Sequence, residues 1–291
     1  MLEEKNLSFG VLSDIHSDGI KLKRAIKDLY KIDMKTDALI LNGDTVDLGY
    51  NREYKKIQKA LKSSKNQIPG KIIISLGNHE FYKYYGHGPN TEAEEKELIN
   101  NFLKFTGKEK VYSDCWIKGY HFISLGSEKT YTFDQPSTVQ AYLSESQLKW
   151  FEEKINEKYE KNKYIFVIFH LPPDDTVKFS HYYKENIKQE ERFLKIIQRY
   201  PNIVYLTGHS HISPLVYDNI FYKSPYGYLM IDSSSVSRPV ILDESTGEEK
   251  NLPGGRSFGL YFQIYDESME IRVRDFSKHE WIGESHRYFN K

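Results

Sequence analysis

Five apolar runs of this chain each end in residues able to hold a cation. Asp14 closes the run 9–14, with His16 two positions on. Asp44 closes 38–44 with Asp47 three on, and Asn78 closes 71–78 with His79 beside it. His170 closes 164–170, and His209 closes 202–209 with His211 two on. Carboxylate, imidazole and amide oxygen together make a ligand set suited to divalent transition metals. Each residue alone has an ordinary reading. An Asp after a strand is most often a turn former or a helix N-cap, Gly-Asp and Gly-Asn pairs are common turn chemistry, and a lone His170 is more often a hydrogen-bonded structural histidine. His209 and His211, one residue apart beside Gly208, suit two ligands on one tight turn. Five of the ten histidines sit at these run ends, so the ordinary readings must all hold at once. The pattern points instead to a bound metal pair.

For such distant residues to meet, the runs must be strands whose C-terminal ends open on one crevice, as in layered α/β folds. The first hundred residues alternate accordingly. FGVLSD (9–14), ALILNGD (38–44) and KIIISLGN (71–78) read as buried strands. Between them, Leu22, Ala25, Ile26 and Leu29, then Tyr54, Ile57 and Leu61, keep the spacing of a helix burying one stripe. Thr91 with Glu94 and Ser144 with Gln147 form capping boxes before helices carrying Leu98, Phe102 and Phe105, and Leu148, Phe151 and Ile155. Residues 111–126 read as two strands turning near Lys118 and Gly119, so the sheet need not stay all parallel. YIFVIFH (164–170), a helix around Phe193, Leu194 and Ile197, and NIVYLTGH (202–209) follow. After 228 come YLMIDSSS, FGLYFQIYD and MEIRVRDF, strand-like and without a helix. A second sheet packed on the first is the economical reading. No repeat, low-complexity segment or linker justifies a cut, so residues 1–291 are expected to form a single domain.

Charge is balanced, with 41 basic and 41 acidic side chains, which supplies no global field for a nucleic acid or an anionic membrane. No run approaches the length of a membrane span, and the first residues lack the charged leader and apolar core of a signal peptide. The expectation is a soluble, unprocessed, cytoplasmic protein with no membrane partner. The single Cys115 excludes an internal disulfide framework and a thiolate cluster, so a metal here must use His, Asp, Glu or Asn.

The series D-x-H (14–16), G-D-x-x-D (43–47), G-N-H-E (77–80), His170 and G-H-x-H (208–211) closely resembles the calcineurin-like metallophosphoesterases, in order and without a gap. The resemblance implies that family's α/β fold, a two-layer mixed β-sandwich flanked by helices. It implies that Asp14, His16 and His211 hold one metal, that Asn78, His170 and His209 hold the other, and that Asp44 bridges them. The metals would be two divalent or trivalent ions among Mn, Fe, Zn, Ni and Co, about 3.5–4 Å apart, with a bridging hydroxide as the nucleophile of an in-line displacement. By the same resemblance His79 is not a ligand but a catalytic donor to the transition state or leaving oxygen, and Asp47 orients its ring. The Ser/Thr protein phosphatases carry phosphate-gripping arginines where this chain has Leu48 and Leu76. Purple acid phosphatases place a Tyr ligand where it has Asp47, and lack the histidine seen here as His16. The motif pattern is most similar to the bacterial cyclic-nucleotide phosphodiesterases.

The implied function is hydrolysis of a small, nucleotide-like phosphodiester or phosphomonoester. A nuclease on nucleic-acid ends and a non-catalytic metal-binding scaffold of the same fold are the competing readings. The aromatics Phe81, Tyr82, Tyr84 and Tyr85, with His87, are either a wall on which a base stacks or rings packing the loop onto the body, and packing is favoured in a chain with 23 Tyr. Phe133 and residues 131–143 are a further candidate rim. Ser233 to Ser235 and Arg238 follow a strand but are left outside the site as ordinary solvated loop residues.

Overall fold

Strand β1 (Leu7–Leu12) is buried at all six positions and β2 (Ala38–Asn42) at all five, because both lie inside a sheet covered on both faces. The computed structural model describes residues 4–84, 90–132, 139–178, 180, 186–216, 220–243 and 248–289. Helices α1 (Gly19–Ile32), α2 (Asn51–Ser63) and α3 (Glu92–Thr106) alternate with β1, β2 and β3 (Lys71–Ser75). The hairpin β4 (Ser113–Ile117) and β5 (Tyr120–Ser124), the small pair β6 (Thr130–Thr132) and β7 (Val139–Ala141), and α4 (Glu145–Asn156) come next. Then follow β8 (Ile165–Ile168), α5 (Glu190–Ile197), β9 (Ile203–Thr207), β10 (Phe221–Lys223) and β11 (Leu229–Asp232). The small pair β12 (Val240–Leu242) and β13 (Glu249–Asn251) precedes β14 (Phe258–Ile264), β15 (Ser268–Asp275) and β16 (Glu280–Phe289).

Two six-stranded sheets result. The first runs β16-β15-β14-β1-β2-β3, with β1, β2 and β3 parallel and the C-terminal strands antiparallel. The second runs β10-β11-β9-β8-β5-β4, with β5, β8, β9 and β11 parallel. They face each other across Phe9, Val11, Ile40, Phe122, Phe166, Ile168, Val204, Leu206 and Phe262. Phe9 stacks on Phe262 of its own sheet at 4.5 Å and meets Phe122 and Phe166 of the other edge-on at 5.3 and 4.9 Å. Helices α1 to α3 cover the outer face of the first sheet and α4 and α5 that of the second. The architecture is therefore helix, sheet, sheet, helix, as the motif series implied.

The helical stripes fall where periodicity placed them. Leu22, Ala25, Ile26 and Leu29 are the apolar residues that α1 buries, and Thr91 with Glu94 closes a reciprocal capping box on α3. The second capping box forms only by half. Ser144 accepts from the Gln147 N–H, but the Gln147 amide turns away to the main chain of Gly126, donating at 2.9 Å and accepting at 3.2 Å. The Ser144 N–H donates instead to Glu128 Oε2 at 2.7 Å, which leaves the Gln147 amide for the buried main-chain pair. No helix among the described residues is long and apolar enough to cross a membrane.

Candidate metal centre

Each predicted site residue sits just past the C-terminal end of a parallel strand: Asp14 after β1, Asp44 after β2, Asn78 after β3, His170 after β8 and His209 after β9. Because the two sheets face each other, these ends share one edge of the sandwich. Asn42 Nδ2 donates across the gap to Leu206 O at 3.0 Å, holding the sheets in register there. The reversals are sharp. Asp14, His16, Asp44, His209 and His211 all have positive φ, between 45 and 73°, at roughly 1 kcal/mol each for a residue with a Cβ. Such strain at five converging positions is tolerated where surrounding structure over-determines it.

The backbones approach as closely as glycine allows. A Cβ on Gly77 would lie 2.2 Å from Asp44 Oδ1, and one on Gly208 would lie 2.0 Å from Ser13 Oγ and 2.7 Å from Asp14 Oδ2. Gly77 of the third motif and Gly208 of the last thus act as clearance for the carboxylates beside them.

Each carboxylate is tied by one oxygen and offers the other. Asp44 Oδ1 accepts from the His79 N–H at 2.8 Å, while Asp44 Oδ2 lies 3.2 Å from His170 Nε2 and 4.0 Å from the Nε2 atoms of His16 and His79. Asp14 Oδ2 accepts from the His209 N–H at 3.3 Å, while Asp14 Oδ1 faces His211, His170 and His16 at 2.8, 3.7 and 3.9 Å. Three imidazoles have their outer nitrogen committed to an oxygen acceptor. His170 Nδ1 donates to Asn42 O at 2.8 Å, His211 Nδ1 to Arg238 O at 3.1 Å, and His16 Nδ1 to Asp47 Oδ1 at 3.1 Å. That network sets the tautomer in which all three Nε2 lone pairs point inward.

Inward lone pairs then meet inward carboxylate oxygens. His16 Nε2 and His211 Nε2 stand 3.0 Å apart, and Asp14 Oδ1, Asp44 Oδ2 and His170 Nε2 are buried without a hydrogen-bond partner. Acceptors packed against acceptors in a dry site are costly unless a cation lies between them. The donor chemistry therefore fits a metal pair. The atoms fall into two sets that share Asp44: Asp14, His16, Asp44 and His211, and Asp44, His170 and His209. Asn78 Oδ1 joins the second, 2.9 Å from His209 Nδ1. A third grouping, His16 with Asp47 and His79, is a hydrogen-bonded one.

Burial favours a neutral Asp44, but His170 and His79 facing it hold its carboxyl well below the usual range. Asp47 is drawn down to about 2, first by its hydrogen bond to His16, against partial burial, and then by Arg238.

The contacts around His79 carry two details that spacing does not reveal. Its Nδ1 donates to the main-chain carbonyl of Asp47 at 2.9 Å, whereas the Asp47 carboxylate, expected to orient this ring, is 3.8 Å away and binds His16 and Arg238 instead. Tyr82 lies against the same ring, centroids 4.2 Å apart, and its hydroxyl accepts from Asn78 Nδ2 at 3.0 Å, which turns Asn78 Oδ1 inward. The aromatic run thus divides by burial. Phe81 enters the core under α3, Tyr84 donates to Glu97 at 2.7 Å, and Tyr82 lines the site. Tyr85, His87 and Phe133 lie outside the described residues.

Glu80, quoted in the third motif without a role, fastens two motif loops together. Its carboxylate accepts from the N–H groups of Gly77 at 2.7 Å, Thr45 at 2.8 Å, Asp44 at 3.2 Å and Val46 at 3.3 Å. Burial and neighbouring Asp44 push its carboxyl up, to about 8, and these donors oppose that rise. An acid three residues after Gly77 at a strand end was the available signal. Above pH 8, where the carboxylate is ionised, Glu80→Gln sets an NH₂ group against N–H donors, and a loss of about 3 kcal/mol is expected in urea unfolding of the metal-free protein. An unchanged midpoint would show that the side chain is already neutral.

Residues 7–213 match the calcineurin-like phosphoesterase family. The chain belongs to that family. With its two metal-ligand sets, the phosphoesterase has the active-site architecture of a dinuclear, metal-dependent enzyme that hydrolyses phosphodiesters or phosphomonoesters. It is 24% identical over 217 residues to a probable cyclic nucleotide phosphodiesterase of Ruthia magnifica, covering 70% of this chain and 78% of that protein. It is 22% identical over 344 aligned positions to a manganese-dependent ADP-ribose/CDP-alcohol diphosphatase of Xenopus tropicalis, covering 94% and 93%. A dimetal phosphatase from Danio rerio superposes with a TM-score of 0.69 at 13% identity, over 99% of this phosphoesterase and 100% of that chain, a likeness of fold.

Proposed function

We propose that this phosphoesterase hydrolyses a small nucleotide-like phosphoester with two metal ions. Asp14, His16 and His211 would hold one ion, Asn78, His170 and His209 the other, with Asp44 shared. The observation that carries this reading is the set of inward, unpartnered atoms, Asp14 Oδ1, Asp44 Oδ2 and His170 Nε2. When bound, the pair supplies a deprotonated water nucleophile near neutral pH and stabilises both the attacking and the departing oxygens.

The chain's own groups do the rest. His79 is 22% exposed at its side chain, against 14% for His211, and its Nδ1 is pinned by Asp47 O, which leaves its Nε2 edge to protonate the leaving oxygen. Asp47 steadies His16 with its carboxylate and His79 with its carbonyl. Residues 1–291 are read as one metallophosphoesterase domain, since β14 to β16 extend the sheet that begins with β1. The named activities of the two curated relatives favour a nucleotide-like substrate, and the second favours manganese. A reducing, cytoplasmic setting is part of the same reading and rests on the single Cys115.

The test is a panel. Metal-stripped protein is reloaded with Mn, Fe, Zn, Ni or Co and assayed on a phosphate monoester, a linear diester and cyclic nucleotides. Turnover with manganese on at least one diester is expected. Silence under every condition would favour the non-catalytic scaffold.

A further inference from the structure

Arg238 lies beyond the residues that match the family, yet its main chain is built into the site. Its N–H donates to Ser235 Oγ at 2.9 Å and its carbonyl accepts from His211 Nδ1 at 3.1 Å. The neighbouring Ser237 N–H donates to Asp14 O at 3.1 Å. These bonds fix Arg238 in the loop that follows β11, which pairs parallel to β9 and ends at the same edge as the five motif strands. Its guanidinium donates through Nη2 to Asp47 Oδ1, the oxygen that also accepts from His16 Nδ1.

A guanidinium has five N–H donors in a fixed fork, and Asp47 takes the Nη2 corner. The side chain is 44% exposed and makes no other hydrogen bond or ion pair among the described residues. It sits on the outer side of His16, one imidazole ring away from the inward Nε2 atom. The Asp47 carboxylate and the His16 ring stand between it and the inward ligand atoms, so a substrate attacked at those atoms would reach Arg238 only with a further group along its length. The Asp47 carboxylate alone would repel such a group. Arg238 cancels that charge and keeps donors to spare, and Arg binds phosphate oxygens with two parallel bonds where Lys offers a point charge.

We infer that Arg238 is a specificity-determining residue that receives the second phosphate of a diphosphate-type substrate. The inference rests on the phosphoesterase reading above and adds the substrate class: a phosphoester with a further phosphate adjoining the one attacked.

Two measurements on the manganese-loaded protein test it, using wild type, Arg238→Gln and Arg238→Lys. The first is steady-state hydrolysis of a nucleoside diphosphate ester and of bis(p-nitrophenyl) phosphate, which has no second phosphate. Arg238→Gln is expected to raise KM for the diphosphate ester about tenfold more than for the simple diester, with kcat affected less and Arg238→Lys intermediate. The second is calorimetric binding of methylenediphosphonate and methylphosphonate, neither of which turns over. Wild type should prefer the diphosphonate, and Arg238→Gln should lose about tenfold of that preference. Equal losses on both substrates and both phosphonates would overturn the proposal and leave Arg238 as a support for Asp47. A wild type without a diphosphonate preference overturns it as well. An Arg238-dependent preference without turnover of either ester would keep the anion site and reject the hydrolytic reading.

Discussion

Asp44→Ala is expected to lose both metal ions and to drop turnover on the order of 10⁴-fold, about 5.5 kcal/mol of barrier. The reason is geometric. Asp44 Oδ2 is the atom that the Nε2 nitrogens of His170, His16 and His79 surround, and Asp44 belongs to both ligand sets. Removing it leaves each set one ligand short and takes away the negative charge that lets two cations sit close together. The loss need not come from unfolding. In the metal-free protein its deletion relieves repulsion with Asp14 but forfeits the attraction of His170 and His79 and one hydrogen bond from the His79 N–H, so metal content is compared on folded protein. Wild type should gain about 2.7 kcal/mol of stability at a manganese concentration 100 times its dissociation constant, by mass action alone. The variant should gain nothing. Metal analysis together with unfolding in the presence and absence of manganese decides the matter, and a variant that retains two ions per chain would remove Asp44 from its bridging position.

His79→Ala has the opposite signature: two ions retained, and turnover lowered by roughly 10²- to 10⁴-fold. His79 borders the shared Asp44 oxygen at 4.0 Å, farther than His170 at 3.2 Å, and its Nδ1 is already spent on Asp47 O. A group that protonates a departing oxygen matters most when that oxygen is a poor leaving group. The loss should therefore be large for an alkyl nucleotide ester and small for a p-nitrophenyl ester, whose leaving oxygen is stable without a proton. An empty variant would make His79 a ligand, and an equal loss on both esters would make it a positioning residue.

How much was legible in the chain follows from which signals are local. Strands β1, β2, β8 and β9 were visible because each is an apolar run buried on both faces, and β3 because Ile72, Ile73 and Ile74 run together at the sheet's edge under partial cover. β16 was not, because it is an edge strand with most of its ten residues exposed, and an exposed edge imposes no apolar alternation. The short 3₁₀ turn over His79–Tyr84 was equally hidden, since three residues per turn over six residues leave no periodic stripe. Glu80 and Arg238 escaped for a different reason: apart from Gly77, the groups that Glu80 clamps lie in the loop after β2, as does the Asp47 that Arg238 binds, and local spacing does not name such partners.

What the amino-acid sequence determined by itself is the set of metal-type residues and the strands that carry them, because both are written as residue type and local pattern. What the tertiary structure alone decided is which atom of each residue faces inward. The family resemblance implied that Asp47 and His79 meet, but only the packed loops show the carbonyl of Asp47 on His79 and its carboxylate on His16 and Arg238. Hydrogen-bond partners are chosen by three-dimensional proximity and by competition among all the donors in reach. A linear spacing contains neither.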